Sequence, residues 1–169
     1  MASLFRPALE LMAQYAAYHR DSRNITTHFI GIPMIVLAVT ALLGRPALPL
    51  GDGARYLTPA MIVYALSCLF YLRLSFAFGV VMAVILAFFV WAGAWLAALP
   101  TAGWLASGIG LFVAGWVIQF VGHYFEGRKP AFVDDLVGLL VGPLFLVAET
   151  AFALGLARET RDAMLAHAH

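Results

Sequence analysis

Charge is what this chain has least of. Charged residues make up 11% of its 169 residues and hydrophobic residues 63%, whereas a soluble domain is about a quarter charged and about half apolar. That deficit excludes an ordinary water-facing surface and makes lipid part of the solvent. A net charge of +1 leaves no basic stripe, so nucleic acid is not an expected partner. The single cysteine, Cys68, lies inside an apolar run and can form no intrachain disulfide. The first 28 residues hold no short apolar core followed by a cleavage site. No cleaved signal peptide is therefore expected, and the first spanning helix is expected to direct insertion. Local metal motifs of the H-E-x-x-H or C-x-x-C kind are missing too, as are internal repeats.

What is present is a series of apolar runs at about 29–43, 57–72, 75–99, 104–122 and 136–157. A membrane-crossing helix needs roughly 20 residues. The third and fourth runs reach that length, and the first two reach it with flanking residues. Only Leu72-Arg73-Leu74 separates the second run from the third, which predicts a tight helical hairpin, and Pro100–Gly103 reads as a turn. The fifth run holds Gly138, Gly142, Pro143 and Glu149; a kinked fifth span is favoured over a re-entrant segment. Gly138/Gly142 and Ala106/Gly110/Ala114 form small-residue seams that let helices approach closely. Residues 4–22 read as an amphipathic helix, too polar to span, that lies at the interface or caps the bundle.

The expected fold is thus an all-α polytopic membrane bundle, a single integral membrane domain over residues 1–169. Residues 1–24 form its amphipathic N-terminal part, 25–157 a bundle of five spanning helices and 158–169 a polar tail. The basic residues divide six to four in favour of the N-terminal side, which places the N-terminus in the cytoplasm.

Two polar strings interrupt the apolar chain, His19–His28 and Gly122–Pro130, and they hold three of the five histidines. Four crossings return the chain to its starting side, so His19, His28, His123 and Glu126 share one membrane face. His167 and His169 fall on the other. His19 and His28 are nine residues apart, about 900° along a continuous helix, on opposite faces. They converge only if the helix breaks between them. Asn24 reads as the N-cap of a new helix from Ile25, which Pro33 then bends. The fourth run carries Trp116, Gln119, His123 and Glu126 at helical spacing, and Pro130 ends that helix. An imidazole with an amide and a carboxylate in reach suits a metal ligand and its supporting partners. Asp21, Asn24, Gln119 and Glu126 are the candidates for that supporting shell. Three imidazoles with carboxylates drawn from Asp21, Glu126, Asp134 and Asp135 suit Fe(II), Zn(II) or Mn(II). Other readings stay open: Asp21 pairs with Arg20 or Arg23, Glu126 pairs with Arg128 or Lys129, His28 and His123 bind a haem, or the protein is a non-catalytic scaffold or carrier.

One resemblance narrows these. Tyr15-x-x-x-His19, Asn24-x-x-x-His28-x-Ile30-Gly31-Ile32-Pro33 and Gly115-Trp116-x-x-Gln119-Phe120-x-Gly122-His123-x-x-Glu126-Gly127-Arg128-x-Pro130-Ala131 resemble the membrane proteins typified by the fungal 2-hydroxy fatty acid dioxygenase. The similarity runs from about residue 10 to 157. It implies an Fe(II)-dependent α-oxidation in which a 2-hydroxy fatty acid reacts with O2 and loses one carbon. On that resemblance His19, His28 and His123 are the iron ligands; Glu126, in reach of His123 by its helical spacing, is added as a catalytic candidate. A 2-hydroxy acid suits such a site because its carboxylate and hydroxyl chelate a metal. Arg20, Arg23, Arg128 and Lys129 are the candidates to hold the carboxylate, which a guanidinium does bidentately. The lipid bilayer is an expected partner, and homo-oligomerisation stays open. The expected location is an inner membrane for a bacterial chain, as the endoplasmic reticulum is for fungal relatives.

Overall fold

The computed structural model describes residues 8–51, 55–127 and 137–167. These form helices α1 (Ala8–Tyr18), α2 (Ser22–Leu43), α3 (Pro59–Leu74), α4 (Phe76–Ala97), α5 (Thr101–Glu126), α6 (Gly138–Ala153) and α7 (Arg158–His167). Strands β1 (Leu48–Leu50) and β2 (Arg55–Leu57) make a small antiparallel hairpin between α2 and α3, pairing Leu48 with Leu57 and Leu50 with Arg55. The all-helical expectation therefore holds, with one short hairpin added.

Among the described residues, three helices are long and apolar enough to cross a membrane: α2, α4 and α5, of 22, 22 and 26 residues. The other two apolar runs give shorter helices. At 16 residues each, α3 and α6 are about 24 Å long against a hydrocarbon core of about 30 Å. Thr58 caps α3 through its side chain, which accepts the Met61 N–H, and Pro59 occupies the first turn. The hairpin between α3 and α4 is as tight as expected, but it turns at Ser75. That residue is extended and its N–H bonds the Tyr71 carbonyl, so Leu72, Arg73 and Leu74 remain helical. Gly79 makes the turn possible, since a Cβ there would lie 2.6 Å from Leu72 Cα. Likewise Thr101 already begins α5, so the turn expected over Pro100–Gly103 is confined to the residues before it.

The chain divides into two compact units, Pro33–Trp116 and the combination of Met1–Ile32 with Val117–His169. Within Pro33–Trp116, small residues set the packing. Gly93 faces Thr40, whose hydroxyl donates to the Phe89 carbonyl at 3.0 Å. Gly108 faces Leu42, with 2.5 Å from a Cβ position to Leu42 Cδ2, whereas Gly110 meets nothing within 4 Å. The expected seam through Gly110 is thus displaced by two residues to Gly108. Arg45 closes the end of α4: its guanidinium donates to the carbonyls of Ala97 and Leu99 and to Thr101 Oγ1, and stacks on Trp104. A cation on carbonyls at a helix C-terminus complements the dipole there.

In the second unit α1 ends at Tyr18, earlier than the amphipathic helix expected over 4–22, whose residues 4–7 lie outside the described residues. It buries Leu11, Met12, Ala13 and Tyr15 and packs against α6 and α7. The expected polar tail is instead the helix α7, anchored by the buried Met164. Gly142 on α6 packs beneath the Tyr15 hydroxyl, 3.0 Å from a Cβ position.

Candidate metal centre

His19 lies just past the end of α1, His28 in the second turn of α2 and His123 in the last turn of α5. All three are buried, with 4%, 2% and 6% of their surface exposed. The break that the spacing of His19 and His28 demands is a corner at residues 19–21. It is made by Asp21, not Asn24. Asp21 Oδ1 accepts the Arg23 N–H at 2.8 Å and so caps α2 one turn earlier than expected. Asn24 falls inside the first turn, fully buried.

The ring geometry is specific. His19 Nδ1–H donates to the Tyr15 carbonyl at 2.7 Å, and His28 Nδ1–H donates to the Asn24 carbonyl at 2.8 Å. Both partners sit four residues back, one helical turn. With Nδ1 carrying the proton, a neutral imidazole has only a lone pair at Nε2. The two Nε2 atoms stand 3.0 Å apart, lone pair facing lone pair. That contact is repulsive unless a cation lies between the rings. His123 completes the set, its ring centroid 5.1 Å from that of His19 and 5.0 Å from that of His28. Its Nδ1 is buried without a partner among the described residues. One ligand atom from each ring falls within 4.8 Å of the others. Divalent ions such as zinc bind imidazole nitrogen at about 2.0–2.1 Å, so nitrogens 3.0 Å apart can share one ion. The residues present therefore fit a metal ion.

Aromatic rings wall the cluster. Tyr15 stacks on His19 with centroids 4.0 Å apart and planes 11° from parallel, and Phe145 of α6 lies 5.0 Å from Tyr15. Burial in these surroundings pushes the His19 pKa below the ordinary imidazole value, against the opposing pull of the Tyr15 carbonyl and the Glu126 charge. A neutral imidazole is the form that binds metal.

The residues expected around the three histidines take varied places. Glu126 is not in the cluster. Its carboxylate accepts the backbone N–H groups of Arg20 and Asp21 at 3.0 and 2.9 Å and the Asn24 Nδ2–H at 3.0 Å. Amides left open at a corner opening a helix attract an anion, so Glu126 clamps the corner that carries His19. Asp21 is also not a ligand: it caps α2 and holds the Arg23 guanidinium at 2.7 Å, which lowers its pKa to about 2. Asn24 supports His28, through its backbone carbonyl and not its side chain. Gln119 is buried on the same face as His123, but its Oε1 has no partner among the described residues. Of the candidate cations, Arg23 is occupied by Asp21 and lies over the Phe125 ring at 4.5 Å, while Arg20 is exposed. Arg128, Lys129, Asp134, Asp135 and His169 lie outside the described residues. The supporting roles of the Tyr15 carbonyl and ring were missed, although the i, i+4 spacing shared by Tyr15/His19 and Asn24/His28 is a signal for them. Phe145 carries no comparable signal.

Gly122 brings α5 against α2. A Cβ there would lie 2.0 Å from Thr27 Oγ1 and 2.5 Å from Asn24 Oδ1, so Gly122→Ala must push the helices apart. Such overpacking costs about 1–3 kcal/mol. The expected result is a lower melting temperature together with weaker metal binding, checked by thermal unfolding with and without Mn(II).

Comparison with known proteins gives a concordant result. Residues 5–154 match the family model described as Mpo1-like, 2-hydroxy-palmitic acid dioxygenase. A Saccharomyces cerevisiae protein, 2-hydroxy-palmitic acid dioxygenase MPO1, is 31% identical over 154 residues, covering 87% of this chain and 83% of its own length. No solved structure matches significantly.

Proposed function

Because the chain belongs to the Mpo1-like family of 2-hydroxy-palmitic acid dioxygenases, we propose that it is an Fe(II)-dependent membrane dioxygenase that shortens 2-hydroxy fatty acids by one carbon. The observation that carries this reading is the pair of facing Nε2 lone pairs on His19 and His28, 3.0 Å apart, with His123 beside them. A nitrogen-only set of three leaves coordination positions for substrate and oxygen.

The reaction breaks the bond between C1 and C2. A 2-hydroxy acid and O2 give the shorter acid, carbon dioxide and water, and the atoms balance. Bound Fe(II) would supply the redox chemistry that O2 requires. The protein's own share is positional. His19, His28 and His123 would hold the metal, and the carbonyls of Tyr15 and Asn24 keep two of the rings in the tautomer that frees Nε2. Glu126 holds the corner. Arg20, exposed and adjacent to His19 in the chain, is the candidate to meet the substrate carboxylate among the described residues. Tyr15 and Phe145 exclude water from one side. Phe29 and Ile30 on α2 and Phe120 and Val121 on α5 expose apolar surface next to the buried histidines, which suits an acyl chain. A haem between His28 and His123 is disfavoured, because His19 Nε2 occupies the space its macrocycle would need. The apolar helices support a bilayer location, and the six-to-four division of basic residues supports a cytoplasmic side for the N-terminus and the site.

The test is to load the purified full chain with Fe(II) anaerobically, then admit O2 with 2-hydroxypalmitate and follow products by mass spectrometry. The expected product is the acid one carbon shorter, formed only with iron. Iron-loaded protein that leaves 2-hydroxypalmitate intact would refute the assignment.

A further inference from the structure

Three buried polar atoms lack partners among the described residues: Asn24 Oδ1, Gln119 Oε1 and His123 Nδ1. His123 belongs to the metal set. Asn24 is immobilised, its Nδ2 bonded to Glu126 and its oxygen pressed against α5, 2.5 Å from where a Gly122 Cβ would be. Gln119 has neither constraint. Its side chain is 6% exposed on an apolar helix, and a buried amide oxygen left unbonded is destabilising unless something binds it.

Its place narrows what that is. Asn24 bonds Glu126, and Thr27 abuts Gly122, so α2 and α5 run antiparallel here. The histidines are therefore flanked by the corner on one side and by Gln119 on the other, one turn from His123 along α5. On the corner side Glu126 is saturated by Arg20, Asp21 and Asn24. On the other side the unpaired group is an acceptor. A carboxylate offers it nothing, and an alkyl chain offers it nothing. A hydroxyl donates.

Resting on the dioxygenase reading above, we infer that the Gln119 amide oxygen accepts the hydrogen bond of the substrate's 2-hydroxyl and so selects 2-hydroxy over unsubstituted fatty acids. The carboxylate points past the metal toward Arg20, and the alkyl chain leaves along the apolar faces of α2 and α5. A site built around such an acceptor rejects the analogue lacking the hydroxyl, because the amide is then left unpaired.

Gln119→Met tests this, since methionine nearly conserves the volume and removes the polar atoms. Wild type and variant, full length in detergent and loaded anaerobically with Fe(II) so that no turnover occurs, are titrated with 2-hydroxypalmitate and with palmitate. Metal content and melting temperature are read in parallel. The expected result is a wild type preferring the hydroxy acid, and a variant whose preference is smaller by about tenfold, with only what chelation of the hydroxyl supplies left. The variant also keeps its iron and melts no lower than wild type, because an unpaired buried group has been removed. A variant that keeps the full preference overturns the inference, and so does one that loses its iron, which would make Gln119 a support for His123. A wild type without any preference between the acids removes the 2-hydroxy acid reading itself, and this inference with it.

Discussion

His28→Ala is expected to release the metal and abolish turnover, with the same outcome at His19 and His123. The cluster has one ligand atom from each ring within 4.8 Å of the others and no carboxylate among the described residues to replace a missing imidazole. Losing an outer partner of a ligand costs about 10–100-fold in metal affinity; losing one of three ligands costs more. The clearest measurement is thermal. A metal that binds only the folded state raises the melting temperature by an amount that grows with the logarithm of its affinity, so the wild type should show a rise with Mn(II) or anaerobic Fe(II) that each variant lacks. His167→Ala, on α7, is the matched control and should behave as wild type. An unchanged metal-dependent rise in any of the three variants would remove that histidine from the ligand set.

Glu126→Ala should have the next largest effect, although Glu126 is not a ligand. Its carboxylate gathers three donors, two from the corner between α1 and α2 and one from the first turn of α2, and hydrogen bonds to charged groups are worth about 1.5–3 kcal/mol each, less where water replaces them at the half-exposed corner. Asn24 connects the clamp to the centre, since its side chain bonds Glu126 while its carbonyl holds His28. Cutting the clamp frees His19 and His28 together. Metal affinity should fall by about 10–100-fold, so activity returns at high Fe(II), which distinguishes this variant from His28→Ala. Glu126→Gln should fall between wild type and Glu126→Ala, because its amide oxygen can keep the Asp21 and Asn24 donors only by turning its Nε2 toward the Arg20 N–H, and the negative charge is lost. Failure of excess Fe(II) to restore turnover would point to a direct catalytic role for Glu126.

The helical class and the three longest helices follow from composition and run length, because a backbone in lipid must satisfy its hydrogen bonds within the segment. Boundaries were less legible. Asn24 has the chemistry of an N-cap, but so does Asp21, and the choice fell to Asp21 because Arg23 supplies both a backbone N–H and a guanidinium to it. Residues 158–167 look like a polar tail by composition; they are a helix because α1 offers a surface to pack on.

Amino-acid order alone therefore settles that this chain is helical, that it carries helices apolar enough for lipid and which family it belongs to, and it singles out the three histidines that the fold gathers, because apolar content and motif spacing are local properties. Which nitrogen is free on His19 and on His28, that the Glu126 carboxylate holds the corner, and that Gln119 Oε1 has no partner among the described residues were decided only by the tertiary structure. Those facts are hydrogen-bond assignments between groups as far apart as Arg20 and Glu126, 106 residues distant. A carboxylate goes to whichever donors the fold brings to it.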